Sequence, residues 1–135
     1  LRRAASIADN PPLAEADLTE ERRSPTCGSR VTVTLRIDAE GRISAIGVDA
    51  KACALGQAAA AIFAESALGA NPARIAQASE AWRAYLAGES EALPDWPGLA
   101  MLAVGRDYPA RHPSMRLTFE ATAAALARAP IGSGS

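Results

Sequence analysis

The hydrophobic pattern of this chain changes its period once, at Cys53. On the N-terminal side, Val31, Val33 and Leu35 alternate with polar residues, which is the period of a half-buried β-strand. On the C-terminal side, apolar residues recur every three or four positions, as on an amphipathic helix. They are Leu55, Ala58, Ala59, Ile62 and Phe63. Strands followed by helices predict an α+β fold, with the helices packed on one face of an antiparallel sheet.

The predicted strands lie between the two cysteines. Val31 to Ile37 forms one strand, and a hairpin loop follows in which Gly41 can take a positive φ angle. Ile43 to Val48 is the predicted return strand, and a third, weaker strand is predicted from Asp49 to Cys53. Leu13 to Arg23 is charged and weakly patterned, so we interpret it as a loop.

Four to five helices are predicted around the sheet. Leu1 to Ala8 forms a short one, and the helix after Cys53 ends near Gly69. Asn71 is the N-cap of the next helix, and Leu99 to Val104 forms another short one. His112 and Pro113 open the last helix. Buried positions are predicted at Ile75, Ala78, Trp82, Tyr85, Leu86, Met115, Phe119, Thr122 and Leu126, and Trp96 anchors the connecting loop.

Length and charge limit the possible functions. With 135 residues the chain is long enough for one domain and too short for two, so residues 1–130 are predicted to form a single domain. Gly132 to Ser135 looks like a linker or tag remnant. A formal charge of −1 favours neither nucleic acid nor a membrane surface. Two cysteines without a secretion signal predict a cytoplasmic protein with free thiols or metal-binding cysteines.

Four residues at predicted element ends are candidates for a functional site. Cys27 lies in a Gly-containing turn beside Arg30, and Cys53 immediately precedes a helix. A thiol at a helix N-terminus feels the positive end of the helix, which raises its thiolate fraction. His112 and Ser114 lie at the start of the last helix. Thiolates combined with an imidazole suit Zn²⁺ or iron–sulfur chemistry.

The residues alone leave other interpretations open. Cys27 and Cys53 are 26 positions apart (53 − 27), which matches no standard metal-binding spacing. They could instead form a disulfide in a thiol switch. A lone histidine beside proline is commonly a surface or cap residue, and Pro113 at the first helical position would make His112 the N-cap. A hydrolytic pair of His112 and Ser114 lacks an evident orienting carboxylate.

Three segments, in their order, resemble the U-type iron–sulfur cluster assembly scaffolds, which include IscU, SufU and the N-terminal domain of NifU. The segments are Ser24-Pro25-Thr26-Cys27-Gly28, Ala52-Cys53-Ala54-Leu55-Gly56-Gln57-Ala58 and Tyr108-Pro109-Ala110-Arg111. The resemblance runs from about Leu1 to Arg128. It is strongest to the SufU branch, because the segment from Gly88 to Arg111 is about as long as the insertion typical of that branch. The family resemblance implies a three-stranded antiparallel sheet and a solvent-facing site of three cysteines and one aspartate.

Two of those four ligand positions match in this chain. Cys27 corresponds to the first cysteine and Cys53 to the second, whereas Ser29 occupies the aspartate position and Ser114 that of the third cysteine. The resemblance thus implies a divergent member with two thiolates and one nearby imidazole, His112. A structural Zn²⁺ site or a [2Fe–2S] cluster needs four ligands. A second protomer in a homodimer, a small thiol or His112 could complete the set.

The function implied by the resemblance is iron–sulfur cluster assembly. As a scaffold or sulfur acceptor, and not as an enzyme, the chain would receive persulfide sulfur from a cysteine desulfurase on Cys27 or Cys53. It would hold iron or a cluster and release the cluster to apo iron–sulfur proteins. Alternatively, Ser29 and Ser114 mark a degenerate metal site, and the chain is a non-catalytic partner or regulator of the desulfurase.

Overall fold

A computed structural model describes residues 13–24 and 28–128 of the chain. The elements in these residues are β1 (Leu18–Arg23), β2 (Arg30–Ile37), β3 (Ile43–Lys51), α1 (Ala54–Ala67), α2 (Pro72–Leu86), a 3₁₀ segment (Leu99–Asp107), a 3₁₀ turn (Pro109–Arg111) and α3 (His112–Ala127). The short helix predicted for Leu1 to Ala8, the linker predicted for Gly132 to Ser135, and Cys27 lie outside the described residues.

The strands form one antiparallel sheet in the order β1-β2-β3. Val31, Val33 and Leu35 of β2 are fully buried, as the alternation predicts. The Asp38 carboxylate closes the β2–β3 hairpin by accepting hydrogen bonds from the backbone nitrogens of Glu40 and Arg42, and Gly41 takes a φ of 82°. The predicted α+β fold with a three-stranded antiparallel sheet is therefore confirmed.

Two strand predictions were wrong. The segment Leu13 to Arg23, interpreted as a loop, contains β1, while Asp49 to Lys51 continue β3 instead of starting another strand. β1 is an edge strand in which Leu18 is the one buried hydrophobic residue, so it lacks an alternating pattern. It is stabilised by its ladder with β2 and by Arg128 at the end of α3, which donates hydrogen bonds to the Thr19 carbonyl and the Glu20 carboxylate.

The helices pack against each other and the sheet through an aromatic cluster. Phe63 of α1 stacks on Trp96 with 5.1 Å between ring centroids, and Phe119 of α3 packs edge-to-face on Phe63 with 4.7 Å between centroids. The indole nitrogens are satisfied, because Trp82 donates to the Met115 carbonyl and Trp96 to that of Ile62. All the residues predicted to be buried on α2 and α3 are buried, and Trp96 anchors the connecting loop as predicted.

The start of α3 differs by one position from the prediction. Arg111 is the N-cap, His112 is the first helical residue and Pro113 the second, so the prediction of His112 as N-cap was wrong. The 3₁₀ turn already gives Arg111 helix-like backbone angles, and the helix continues directly from it. The short helix predicted from Leu99 to Val104 is a 3₁₀ segment that extends to Asp107. None of the helices in the described ranges has the length and apolar character needed to cross a membrane.

The N-cap of α2 offers a simple test of the local structure. The Asn71 side-chain oxygen accepts a hydrogen bond of 2.8 Å from the Arg74 backbone nitrogen. We expect Asn71→Ala to lower the free energy of unfolding by about 1 kcal/mol, because that amide loses its partner. Asn71→Asp, which keeps the acceptor, is the control and should unfold like the unchanged protein in urea titrations. Equal stability of the alanine variant would contradict the capping role.

Candidate functional site

Cys53 lies where β3 passes into α1, as the change of hydrophobic period predicts. It is the N-cap residue of α1 and is half-buried. The backbone amides of Leu55 and Gly56, in the first turn of α1, face its sulfur without forming a capping hydrogen bond of standard geometry. The sulfur therefore lies at the positive end of a helix of 14 residues.

Ser114 is the side chain that meets this sulfur. Its hydroxyl oxygen lies 3.3 Å from Cys53 Sγ and donates a hydrogen bond of 3.0 Å to the Arg111 carbonyl. A serine hydroxyl has one hydrogen to donate. With a neutral thiol, the S–H donates to Oγ while Oγ–H donates to Arg111. A thiolate at Cys53 can take the Ser114 hydrogen only if the hydroxyl turns away from Arg111.

Gly56 makes this contact possible. A Cβ atom at Gly56 would lie 2.8 Å from the Ala52 Cβ, 3.0 Å from the Ser114 Cβ and 3.1 Å from the Ser114 Oγ. The first of these distances is too short for real side chains, and the other two are tighter than most. The first turns of α1 and α3 can therefore be in contact only because Gly56 has no side chain. This contact leaves Ser114 just 1% exposed.

The surroundings favour the thiolate of Cys53. Partial burial acts to raise the pKa of the thiol, but the Ser114 hydroxyl, the amides of Gly56 and Leu55 and the charge of Arg111 together hold that pKa below its ordinary value. The thiolate is the form that attacks sulfur and binds soft metals. Near neutral pH a larger fraction of Cys53 is therefore thiolate than of a thiol with the ordinary pKa.

Ser24 and Ser29, which flank Cys27 in the sequence, lie at the same end of the sheet as Cys53. Cys27 itself is outside the described residues, but Ser24 and Ser29 on either side of it are buried and joined by a hydrogen bond of 2.8 Å from the Ser24 nitrogen to the Ser29 carbonyl. Arg30, at the start of β2, pairs with Lys51, two residues before Cys53. The proximity of the two thiols stays a prediction.

His112 is held by the 3₁₀ segment. Its Nε2 lies 3.1 Å from the Gly105 carbonyl and 3.0 Å from the Arg106 carbonyl. Because carbonyl oxygens only accept, Nε2 carries a hydrogen and donates it to them. Ser114, and not His112, is the residue of α3 within hydrogen-bond distance of the Cys53 sulfur.

A resident metal site does not fit the side chains in residues 13–24 and 28–128. Within these ranges no three of His, Cys, Asp and Glu come together in a way that could hold a metal ion. Ser29 and Ser114, which the resemblance aligns with two ligand positions, bring neutral, hard hydroxyls that bind soft metals poorly. Four ligands are needed for a closed Zn²⁺ site, and in this part of the chain Cys53 is the one thiol at the site.

Two residues of the site were missed by the sequence analysis. Gly56 lies in the segment from Ala52 to Ala58 but has no predicted role of its own. The sequence signal for such a role is a glycine in the first turn of a helix, where glycine lowers stability unless a neighbouring residue needs the space. Arg111 has no predicted role in the site, and only the fold places it close enough to act on Cys53. Ser114 was predicted as a site residue at the start of the last helix and at the position of the third cysteine, but its contact with the Cys53 sulfur was not predicted.

Comparison with known proteins identifies the family. No family model matches the chain, and no curated protein does. The N-terminal part of a nitrogen-fixing NifU-like protein from Brucella abortus is 31% identical, with a TM-score of 0.84, and the match covers 100% of this chain and 95% of that one. The chain belongs to the NifU-like family.

Two more distant structures share the fold of this NifU-like chain. A protein assigned as an iron–sulfur cluster assembly scaffold of the SUF system, from Fervidobacterium islandicum AW-1, is 17% identical with a TM-score of 0.80 and covers 93% of this chain and 95% of its own. A hypothetical protein is 20% identical with a TM-score of 0.70 and covers 94% and 96%. The predicted membership of the U-type family is confirmed.

The hydrogen bond from Ser114 predicts a pH effect. In Ser114→Ala the Cys53 thiolate loses a donor, so the pKa of the thiol should rise and alkylation by iodoacetamide should need a higher pH. The measurement is the pH midpoint of the Cys53 alkylation rate, followed by peptide mass spectrometry. Lys51→Gln, which removes an exposed charge two residues from Cys53, is the control and should leave the midpoint in place. An unchanged midpoint in the alanine variant would refute a role for the hydroxyl.

Proposed function

We propose that this NifU-like protein accepts sulfur on Cys53 and uses it in iron–sulfur cluster assembly. The observation that carries the proposal is the placement of the Cys53 thiol at the N-terminus of α1, against the Ser114 hydroxyl. Family membership supports the same function, since a protein assigned as an iron–sulfur cluster scaffold has this fold. A helix N-terminus and a donated hydroxyl hydrogen both stabilise negative charge on sulfur.

The chemistry is the transfer of one sulfur atom between two thiols. The Cys53 thiolate attacks the outer sulfur of a persulfide on a donor protein, and the new S–S bond forms at Cys53. The S–S bond of the donor breaks, and the donor cysteine leaves as a thiolate. Charge and electrons balance, because one thiolate is consumed and one released. A cysteine desulfurase is the proposed donor, since it forms such a persulfide from L-cysteine.

Iron and the assembled cluster are cargo in this proposal. Cys27 would supply a second thiolate, and the remaining ligands of a [2Fe–2S] cluster would come from a second protomer, a small thiol or His112. Because the chain supplies few ligands of its own, the cluster would be bound weakly and passed on to an apo-protein. The protein would then act as a carrier and not as an enzyme, in a reducing compartment such as the cytoplasm, where free thiols persist.

The second candidate function is binding without sulfur chemistry. It is favoured by the burial of the hydroxyls that occupy two ligand positions, since Ser29 is 5% and Ser114 1% exposed. On this proposal the residues of the site serve only to pack the protein core. The chain then regulates a desulfurase by binding to it. The two candidates differ in whether Cys53 acquires sulfur.

Persulfide formation tests the leading proposal. After incubation with a cysteine desulfurase and L-cysteine, we expect the protein to gain the mass of one sulfur atom, located at Cys53 by peptide mass spectrometry. Cys53→Ser should lose that modification, whereas Cys27→Ser should keep it. If the unmodified mass persists while the desulfurase still binds, the regulatory function is correct and sulfur acceptance is not.

The third ligand position gives a test based on metal binding. Ser114→Cys places a second sulfur beside Cys53 with almost no change of shape, so Zn²⁺ affinity should rise on the order of tenfold or more. Competition with a coloured chelator measures the affinity, and Co²⁺ should add a thiolate charge-transfer band. Ser114→Ala is the matched control without a ligand atom and should gain nothing. Equal affinity of the cysteine and alanine variants would show that this position does not face the metal.

A further inference from the structure

Three exposed apolar side chains lie on the 3₁₀ segment and at the residue that follows it; we call Met101, Val104 and Tyr108 the stripe. These side chains are 62%, 59% and 56% exposed, although all three are large and hydrophobic. A 3₁₀ helix has three residues per turn, so Met101 and Val104 share one side, and Tyr108 follows just past its end. The buried Leu99 and Leu102 hold the opposite side in the core.

The stripe is presented on a firmly held segment. Arg106 donates a hydrogen bond of 2.7 Å to the Tyr85 carbonyl, places its guanidinium 4.5 Å from the centre of the Tyr85 ring and pairs with Glu91. His112 holds the carbonyls of the same segment from the side of α3. A surface that is already ordered loses little entropy when a partner binds, which favours binding.

The stripe lies beside the Cys53 site. A Cβ atom at Gly105 would approach Leu55 Cδ1 to 3.7 Å and Met115 Cε to 2.5 Å, so this segment packs directly on the first turns of α1 and α3. Tyr108 accepts a hydrogen bond of 2.8 Å from the Arg111 nitrogen. Arg111 is in turn close enough to lower the pKa of Cys53. The apolar surface therefore reaches the edge of the sulfur site.

Area and charge indicate which partner fits. Three half-exposed side chains offer an apolar area of a few hundred Å², well below the roughly 800 Å² per partner of a stable interface. That area suits a brief encounter better than a permanent dimer. Arg111, at the end of the stripe, is exposed and pairs with no acidic side chain among residues 13–24 and 28–128. A matching partner presents an apolar segment next to a carboxylate.

We propose that the stripe of Met101, Val104 and Tyr108 is the surface on which the sulfur-donor protein docks to reach Cys53. The inference rests on the proposed function, because a donor that transfers sulfur to Cys53 must cover the surface around it. The apolar side chains supply the contact area, and Arg111 pairs with a carboxylate of the donor. The persulfide of the donor then meets Cys53 while the stripe sets the orientation of the donor.

The test introduces a charge on the stripe and a matched charge elsewhere. Val104→Glu is compared with Leu68→Glu, since both side chains are 59% exposed and Leu68 lies at the far end of α1, about 20 Å from Cys53 at 1.5 Å per residue. Binding of a purified cysteine desulfurase is measured by fluorescence anisotropy. Sulfur transfer to Cys53 is measured with that desulfurase plus L-cysteine, and separately with glutathione persulfide, a small donor that needs no docking surface.

We expect Val104→Glu to weaken desulfurase binding and slow its sulfur transfer on the order of tenfold, the loss of a good interface contact. Transfer from glutathione persulfide should stay unchanged, and Leu68→Glu should behave like the unchanged protein with both donors. Equal effects of the two variants, or slowing with both donors, would overturn the docking surface.

Two further results separate this inference from the proposed function. If Cys53 accepts no sulfur from either donor but Val104→Glu still loses desulfurase binding, sulfur acceptance fails and the docking surface stands. If sedimentation finds a dimer of the unchanged protein that Val104→Glu dissociates, the stripe is a self-association surface and the donor-docking proposal is wrong.

Discussion

The contact between Gly56 and Ser114 is the constraint on which the site depends. Two helices that begin far apart in the sequence meet there by their first turns, with no side chain between them. Only this close approach brings a hydroxyl on α3 to within 3.3 Å of a sulfur at the start of α1. The aromatic cluster deeper in the core supports the same arrangement, since Phe119 on α3 packs its edge against Phe63 on α1. The core thus fixes two helix ends, and the site is formed at those ends.

A serine at position 114 changes what this site can do. A thiolate there would be a ligand, but a hydroxyl can only share its one hydrogen between the Cys53 sulfur and the Arg111 carbonyl. Ser114 can therefore stabilise negative charge on the Cys53 sulfur without acting as a metal ligand. On the proposed function, this arrangement would suit sulfur transfer better than tight metal binding, because the thiolate is stabilised while few ligands are present. The same low number of ligands explains why no closed zinc site surrounds Cys53 among residues 13–24 and 28–128.

Secondary structure is predicted best from the sequence where a local residue pattern is typical of one structure only. Alternation identified β2, because one of its faces is buried, and Asn71 followed by Pro72 identified the start of α2. β1 was missed because an edge strand needs only ladder hydrogen bonds and one buried residue, Leu18, which leaves no period to detect. Cys53 was placed correctly because the period changes beside it. Its environment could not be derived, since Ser114 is 61 residues away and no local pattern encodes that distance.

The 3₁₀ segment has one side that packs in the core and one side that faces water. Its buried residues pack in the core, and Gly105 has no side chain because Met115 and Leu55 occupy the space. Arg106 donates a hydrogen bond to the Tyr85 carbonyl, and His112 donates one to the Gly105 carbonyl. Packing and hydrogen bonding therefore explain the residues on the buried side of the segment. They do not account for Met101, Val104 and Tyr108, which are 62%, 59% and 56% exposed. The docking of a partner, as proposed above, would give these three side chains a use that packing does not.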